Sequence, residues 1–120
     1  MITTAVLLEN VVEGVPSGNY DGSSQDWASD AVPAANYYRG RGSVQTFLIR
    51  VSGFVGTIRL EASLDSLSDS ATWFEIYEYG PYVSPITDYH PASITGNFVW
   101  LRARVEDFET GTIDLVSVTY

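Results

Sequence analysis

The stretch Val44-Gln-Thr-Phe-Leu-Ile-Arg-Val-Ser-Gly-Phe-Val-Gly-Thr-Ile-Arg-Leu-Glu-Ala-Ser-Leu64 decides the fold class. Phe47, Ile49 and Val51 recur at every second position, and so do Ile58, Leu60, Ala62 and Leu64 beyond the glycines, which is the side-chain period of a strand. No helical period competes with it. Gly53 and Gly56 can take positive φ at little steric cost, so the segment reads as a β-hairpin turning over Val51 to Thr57. One face of that hairpin is apolar and must be covered by the rest of the chain.

Downstream, Trp73-Phe-Glu-Ile-Tyr-Glu-Tyr79 is a third strand-like run, with Phe74 and Ile76 on one face and Trp73, Glu75, Tyr77 and Tyr79 on the other. Gly80 to Gly96 is punctuated by Pro81, Pro85 and Pro91 and reads as a connection holding a short extended piece. From Asn97 the alternation is the cleanest in the chain: Val99, Leu101, Ala103 and Val105 against Trp100, Arg102, Arg104 and Glu106. Asp107-Phe-Glu-Thr-Gly111 reads as a turn. Thr112 to Tyr120 closes the chain with a strand whose parity slips between Leu115 and Val116, the mark of a bulge or of burial on both faces.

Upstream, Ile2 to Val12 is rich in β-branched residues and reads as a first strand, placed to pair with the last. Residues 13–35 shift to Gly, Ser, Pro, Asp and Asn, which bond to their own backbone, so a long surface loop is expected there, with at most a short helical turn near Ser24 to Ala28. Strands at 2–12, 43–52, 56–64, 72–79, 98–106 and 111–119, without crossover helices, predict an all-β single domain over residues 1–120. The expected architecture is an antiparallel β-sandwich, jelly-roll or immunoglobulin-like. Its predicted core is Phe47, Ile49, Ile58, Leu60, Leu64, Phe74, Ile76, Val99, Leu101 and Val105.

A chain of 120 residues can bury a core without staples, and this one contains no cysteine, hence no disulfide framework and no thiolate ligand or nucleophile. The formal charge is −9, and all 6 basic residues are arginine. That field repels phosphate backbones and anionic lipid, so neither nucleic acid nor membrane is an expected partner. No apolar run approaches the roughly 20 residues of a membrane span, and Met1 to Leu8 lacks the basic start of a signal peptide. The chain reads as soluble, with its N-terminus in the fold.

The candidate contact residues are aromatic and arginine side chains, which combine large area with polar reach. Ala35-Asn-Tyr-Tyr-Arg-Gly-Arg-Gly42 offers Tyr37, Tyr38, Arg39 and Arg41; the plainer alternative is a strand edge with arginines offsetting local acidity. Trp27 stands in the long loop, where it either meets a partner or pins the loop to the sheet. Tyr77 and Tyr79 form a row with Trp73 that a loop or a neighbouring subunit would cover. Asp65 and Asp69 lack the ligand ladder of a calcium loop, so no metal site is expected, and no cofactor either. His90, the lone histidine, reads as a loop hydrogen-bonder rather than a general base. Glu75 and Glu78 change strand face between them, which argues against a shared acid/base site. No enzyme is expected.

Several of these segments together resemble a small β-sandwich type common among virion proteins of tailed bacteriophages. The resemblance rests on Phe54-Val-Gly-Thr-Ile-Arg-Leu-Glu-Ala-Ser-Leu-Asp65, Trp73-Phe-Glu-Ile76, Gly96-Asn-Phe-Val-Trp-Leu-Arg-Ala-Arg-Val105 and Gly111-Thr-Ile-Asp114. It covers the C-terminal two thirds of the chain, and Met1 to Gly42 carries no equivalent motif. It implies a non-enzymatic virion structural protein: a capsid decoration or cement protein first, since no fibre repeat or coiled-coil heptad is present, with head-fibre and tail modules as relatives. The implied location is the virion. The implied partners are other virion proteins, the major capsid protein or tail proteins, with self-association into a homo-oligomer such as a trimer. The rival expectation is a carbohydrate-binding, lectin-like module of a tail or receptor-binding apparatus, using Trp27, Tyr37, Tyr38 and Tyr89 as a stacking platform.

Overall fold

The computed structural model describes residues 4–34, 43–64, 72–96 and 98–119. Among them, β1 (Thr4–Val12), β2 (Trp27–Ala28), β3 (Val32–Pro33), β4 (Ser43–Ser63), β5 (Phe74–Gly96) and β6 (Trp100–Thr119) form one antiparallel sheet in the order β1-β6-β4-β5. β2 and β3 also lie along β6. As expected, the first strand pairs with the last, Thr4 opposite Thr119 and Val12 opposite Thr112.

Three strands are too long to be straight. The 21 residues of β4 would extend about 70 Å at roughly 3.3 Å per residue, whereas the longest dimension of the molecule is 39 Å. The connectivity says where the extra length goes. Gly96 pairs with Ser43 at one end of β4, and Trp100 pairs with Ser63 at the other. Four residue steps span at most about 14 Å, so both ends of β4 lie at the same end of the molecule. The sheet is folded double.

One layer consists of β1, residues 112–119 of β6, 43–52 of β4 and 86–96 of β5; the other consists of β2, β3, 100–106 of β6, 55–63 of β4 and 74–82 of β5. The antiparallel sandwich read from the sequence is therefore present, its layers being two halves of one sheet. The hairpin expected at Val51 to Thr57 is not: the two halves of β4 pair with β5 and β6 and not with each other. Asp107 to Gly111 is likewise a bend inside a strand. Register shifts accumulate here, between Val51 and Ile58 against β5 and between Arg50 and Thr57 against β6. These bulges let the strands turn without reversing.

The three bends nest. Gly111 has a φ of +95°, and a Cβ on it would lie 2.3 Å from the carbonyl oxygen of Gly53. A Cβ on Gly80 would lie 2.9 Å from the carbonyl oxygen of Gly56, which in turn faces the carbonyls of Glu106 and Asp107. Backbone packs on backbone at this end, and only glycine leaves the room.

Both layers fill the space between them. Phe47, Ile49, Val51, Ile113, Val116 and Val118 from one layer meet Ile58, Leu60, Ala62, Leu101, Ala103 and Val105 from the other, all essentially without solvent contact. Their burial, roughly 1.5 to 3 kcal/mol for each large aliphatic side chain, is the main favourable term. Four core expectations change: Leu64 and Phe74 are 63% and 40% exposed, and Ile76 and Val99 are half-buried. Leu64 follows the last residue of its strand. Ile76 is the extra residue of a bulge, because Leu60 pairs with Tyr77 while Glu61 pairs with Glu75. That bulge also reassigns the faces, turning Tyr79 into the core.

The Pro-rich stretch 80–96 is strand and not connection, and His90 lies in it opposite Ile49. β5 is the sheet's edge, where half of the backbone N–H groups have no partner strand, so Pro81, Pro85 and Pro91 are tolerated. The long loop holds more order than its composition suggests. In place of a helical turn, Trp27 and Ala28 pair with Val105 and Arg104. Tyr20 and Trp27 close the core together with Phe108, with ring centroids 5.1 Å apart for Tyr20 and Trp27 and 5.3 Å for Tyr20 and Phe108.

Asp21 organises the loop before Trp27. Its carboxylate accepts the backbone N–H groups of Ser23 at 2.8 Å and Ser24 at 2.7 Å, and the Ser24 hydroxyl at 2.8 Å. These bonds, that of the Ser23 N–H first, favour the charged form and lower its pKa from 3.8 to about 2. Because the folded value lies below the unfolded one, the cap's contribution is complete above pH 4 and lost as pH falls through about 2. A carboxyl carbon chemical-shift titration of Asp21 should show its midpoint near pH 2; a midpoint near 4 would contradict the cap.

Candidate interaction surface

Opposite the nested bends, the sandwich has an end, open among the described residues, where strand termini gather. Ala34 donates its N–H to Val99 O at 2.8 Å, and Val99 donates to Ser63 O at 2.9 Å. Ser43 lies opposite Gly96, and Phe74 opposite Ala62. The Phe98 ring lies on Gly96, leaving no room there for a Cβ, and its centroid is 6.1 Å from that of Phe74. Ala34 and Ser43, the described residues flanking Tyr37, Tyr38, Arg39 and Arg41, thus belong to this end. Those four residues, and Asp65 and Asp69, lie outside the described residues.

The open end carries apolar side chains that the core does not absorb. Val44, Leu64 and Phe74 are 52%, 63% and 40% exposed, and Trp73, Phe98 and Trp100, also near strand termini, are half-buried. Arg102 holds its guanidinium carbon 4.4 Å from the Trp73 ring centre and donates from Nε to Glu61 at 2.7 Å, fixing the indole against the outer face. Leu64 and Phe74, whose alternation predicts burial, are thus exposed here. Ser/Asp-rich residues after Leu64 were the available signal that the strand ends there.

Away from this rim the outer face of the second layer is charged. Arg59 is held by Glu75, Glu78 and Glu106. The hydrogen bonds it donates to Glu75 first and then Glu106 raise the guanidinium pKa further. Glu75 and Glu78 thus share one arginine as a structural ion-pair network on a common face, because the Ile76 bulge shifts the parity.

The remaining sequence candidates serve packing in this chain. Trp27 is enclosed against Tyr20 and Phe108 and presents no open ring face. Tyr79 is 2% exposed and donates its hydroxyl to Asp88 at 2.8 Å. Burial, reinforced by Asp88, pushes the Tyr79 pKa up, so the hydroxyl remains a donor. Tyr77 meets His90 Nε2 at 2.5 Å. Both bonds join the two halves of β5 across the fold, so the tyrosine row is a clasp between layers. His90 is a hydrogen-bonder, within a strand.

The fold and this surface define an antiparallel β-sandwich with exposed apolar side chains at one end. Comparison with protein-family models, curated proteins and solved structures returns no match.

Proposed function

We propose that this protein is a non-enzymatic virion structural protein of a tailed bacteriophage, in the first place a capsid decoration protein, which seats the open end of its sandwich on the assembled particle. The observation that carries the seating is the exposure of Val44, Leu64 and Phe74 at the strand ends gathered there, with the Phe74 ring against Phe98. Exposed large apolar side chains gathered at one end of a domain mark a protein-binding surface. The virion assignment itself comes from the sequence resemblance. The occupant proposed is the major capsid protein, contacted through an apolar surface, with neighbouring copies of this chain completing a homo-oligomer. A net charge of −9 suits a module whose outer faces stay in water and disfavour self-aggregation.

The purified protein should co-sediment with particles assembled without it. The double variant Leu64→Ser, Phe74→Ser should lower occupancy at least about tenfold, since buried apolar anchors dominate such contacts, with an unchanged circular dichroism spectrum. Wild-type occupancy by that variant would refute seating through this end, and absence of binding by the wild type would refute the decoration role.

A further inference from the structure

A second surface lies on the outer side of the first layer, beside the bends and away from the open end. There Arg50 and Ser52 of β4, Thr87, Asp88 and Tyr89 of β5, and Asp114 of β6 line a shallow concavity of about 400 Å³. We propose that this concavity binds a neutral saccharide, with the Tyr89 ring as its platform and Arg50 and Asp114 clasping a vicinal diol. The proposal stands apart from the seating of the open end, which uses none of these residues.

Four observations point to a sugar. Tyr89 is 65% exposed although it lies in a strand, and it offers a flat apolar face of the kind that the C–H side of a pyranose covers. Arg50, directly opposite Tyr89 in the register, holds its guanidinium carbon 5.7 Å from the ring centre. Arg59 and Arg102 are held by glutamates, whereas Arg50, which lines the concavity with its guanidinium over the tyrosine platform, makes no ion pair among the described residues. Asp114 accepts the Ser52 hydroxyl on Oδ2 at 2.6 Å, and its Oδ1 has no protein donor among the described residues.

The arrangement therefore sets a planar donor and a free acceptor beside a ring, complementing adjacent hydroxyls that each donate and accept. Thr87, which accepts the Gly53 N–H at 3.2 Å, adds a hydroxyl at the rim. The charges select against anionic glycans. Asp88 and Asp114 oppose the single cation Arg50, and Asp88 is itself held by the Tyr79 hydroxyl and the Tyr89 N–H. The volume falls within the ordinary range for a small-molecule site, roughly 300 to 1,000 Å³. Its open form suits one or two units of a polymer better than an enclosed metabolite.

Affinity electrophoresis of the whole chain in gels containing dextran, mannan, galactan or, as the anionic control, polygalacturonate tests this. At least one neutral polymer should retard the protein, and Tyr89→Ala and Asp114→Asn should each weaken the retardation constant at least about tenfold. Tyr89→Phe, which keeps the ring, should retain it. Asp114→Asn preserves shape, so the test survives if Tyr89→Ala fails to fold. Retardation by no neutral polymer, by polygalacturonate alone, or undiminished in folded Tyr89→Ala or Asp114→Asn protein would overturn the proposal.

Discussion

Gly111→Ala will lower the stability of this protein by about 3 to 5 kcal/mol, a change that single substitutions rarely produce. Two effects combine. A φ of +95° is unfavourable for any residue with a Cβ, and that Cβ would stand 2.3 Å from Gly53 O, 2.5 Å from Gly53 C and 2.7 Å from Phe54 N. These are backbone atoms inside a strand that is paired on both sides, so they cannot swing away as a flexible side chain would. The thermal midpoint should fall by about 10 °C or more. Gly53→Ala is the control, because Gly53 also has positive φ, +62°, but open space around its Cβ position. It should cost only about 1 to 2 kcal/mol. Equal losses for the two variants would mean that the bends of β4 and β6 do not nest as described.

Leu101→Ala should cost about 2 to 5 kcal/mol. Leu101 has no solvent contact and sits mid-layer, with Ala62 of β4 on one side and Val32 of β3 on the other. Removing its side chain leaves a cavity in contact with both layers, and the flanking strands are too well paired to collapse into it. Leu64→Ala, at a residue 63% exposed, should change stability by less than about 0.5 kcal/mol. Denaturant midpoints measure both. A shift at Leu64 as large as that at Leu101 would return Leu64 to the core and remove the apolar rim from the open end.

Much of the architecture was legible in residue order. Alternation at Phe47, Ile49 and Val51, at Ile58, Leu60 and Ala62, and at Leu101, Ala103 and Val105 correctly identified both the strands and their inward faces. The pairing of the first strand with the last was also readable. What misled was punctuation. Gly53 and Gly56, Gly80 with Pro81, and Asp107 to Gly111 carry turn chemistry, and turn chemistry does not say whether a strand reverses or bends. Pro85 and Pro91 hid the second half of β5, because proline is excluded from central strands and not from edges.

The candidate contact residues were legible as types and not as positions. Aromatic side chains pack cores as readily as they meet partners, and Trp27, Tyr77 and Tyr79 were drawn inward by Phe108, His90 and Asp88, partners distant or hidden in the sequence. Phe74 moved the other way, to the rim. Tyr89 alone of the described platform candidates keeps an open ring.

By itself the sequence determined that the chain is antiparallel β structure with one apolar face per strand, an acidic exterior and no thiol chemistry, because period, composition and charge are local properties of the residues. Only the tertiary structure decided that three strands each pass through both layers, which end stays open, and which aromatic rings reach solvent. Those outcomes depend on Gly53, Gly56, Gly80 and Gly111 meeting backbone to backbone, a contact between residues far apart in the chain that no single segment encodes.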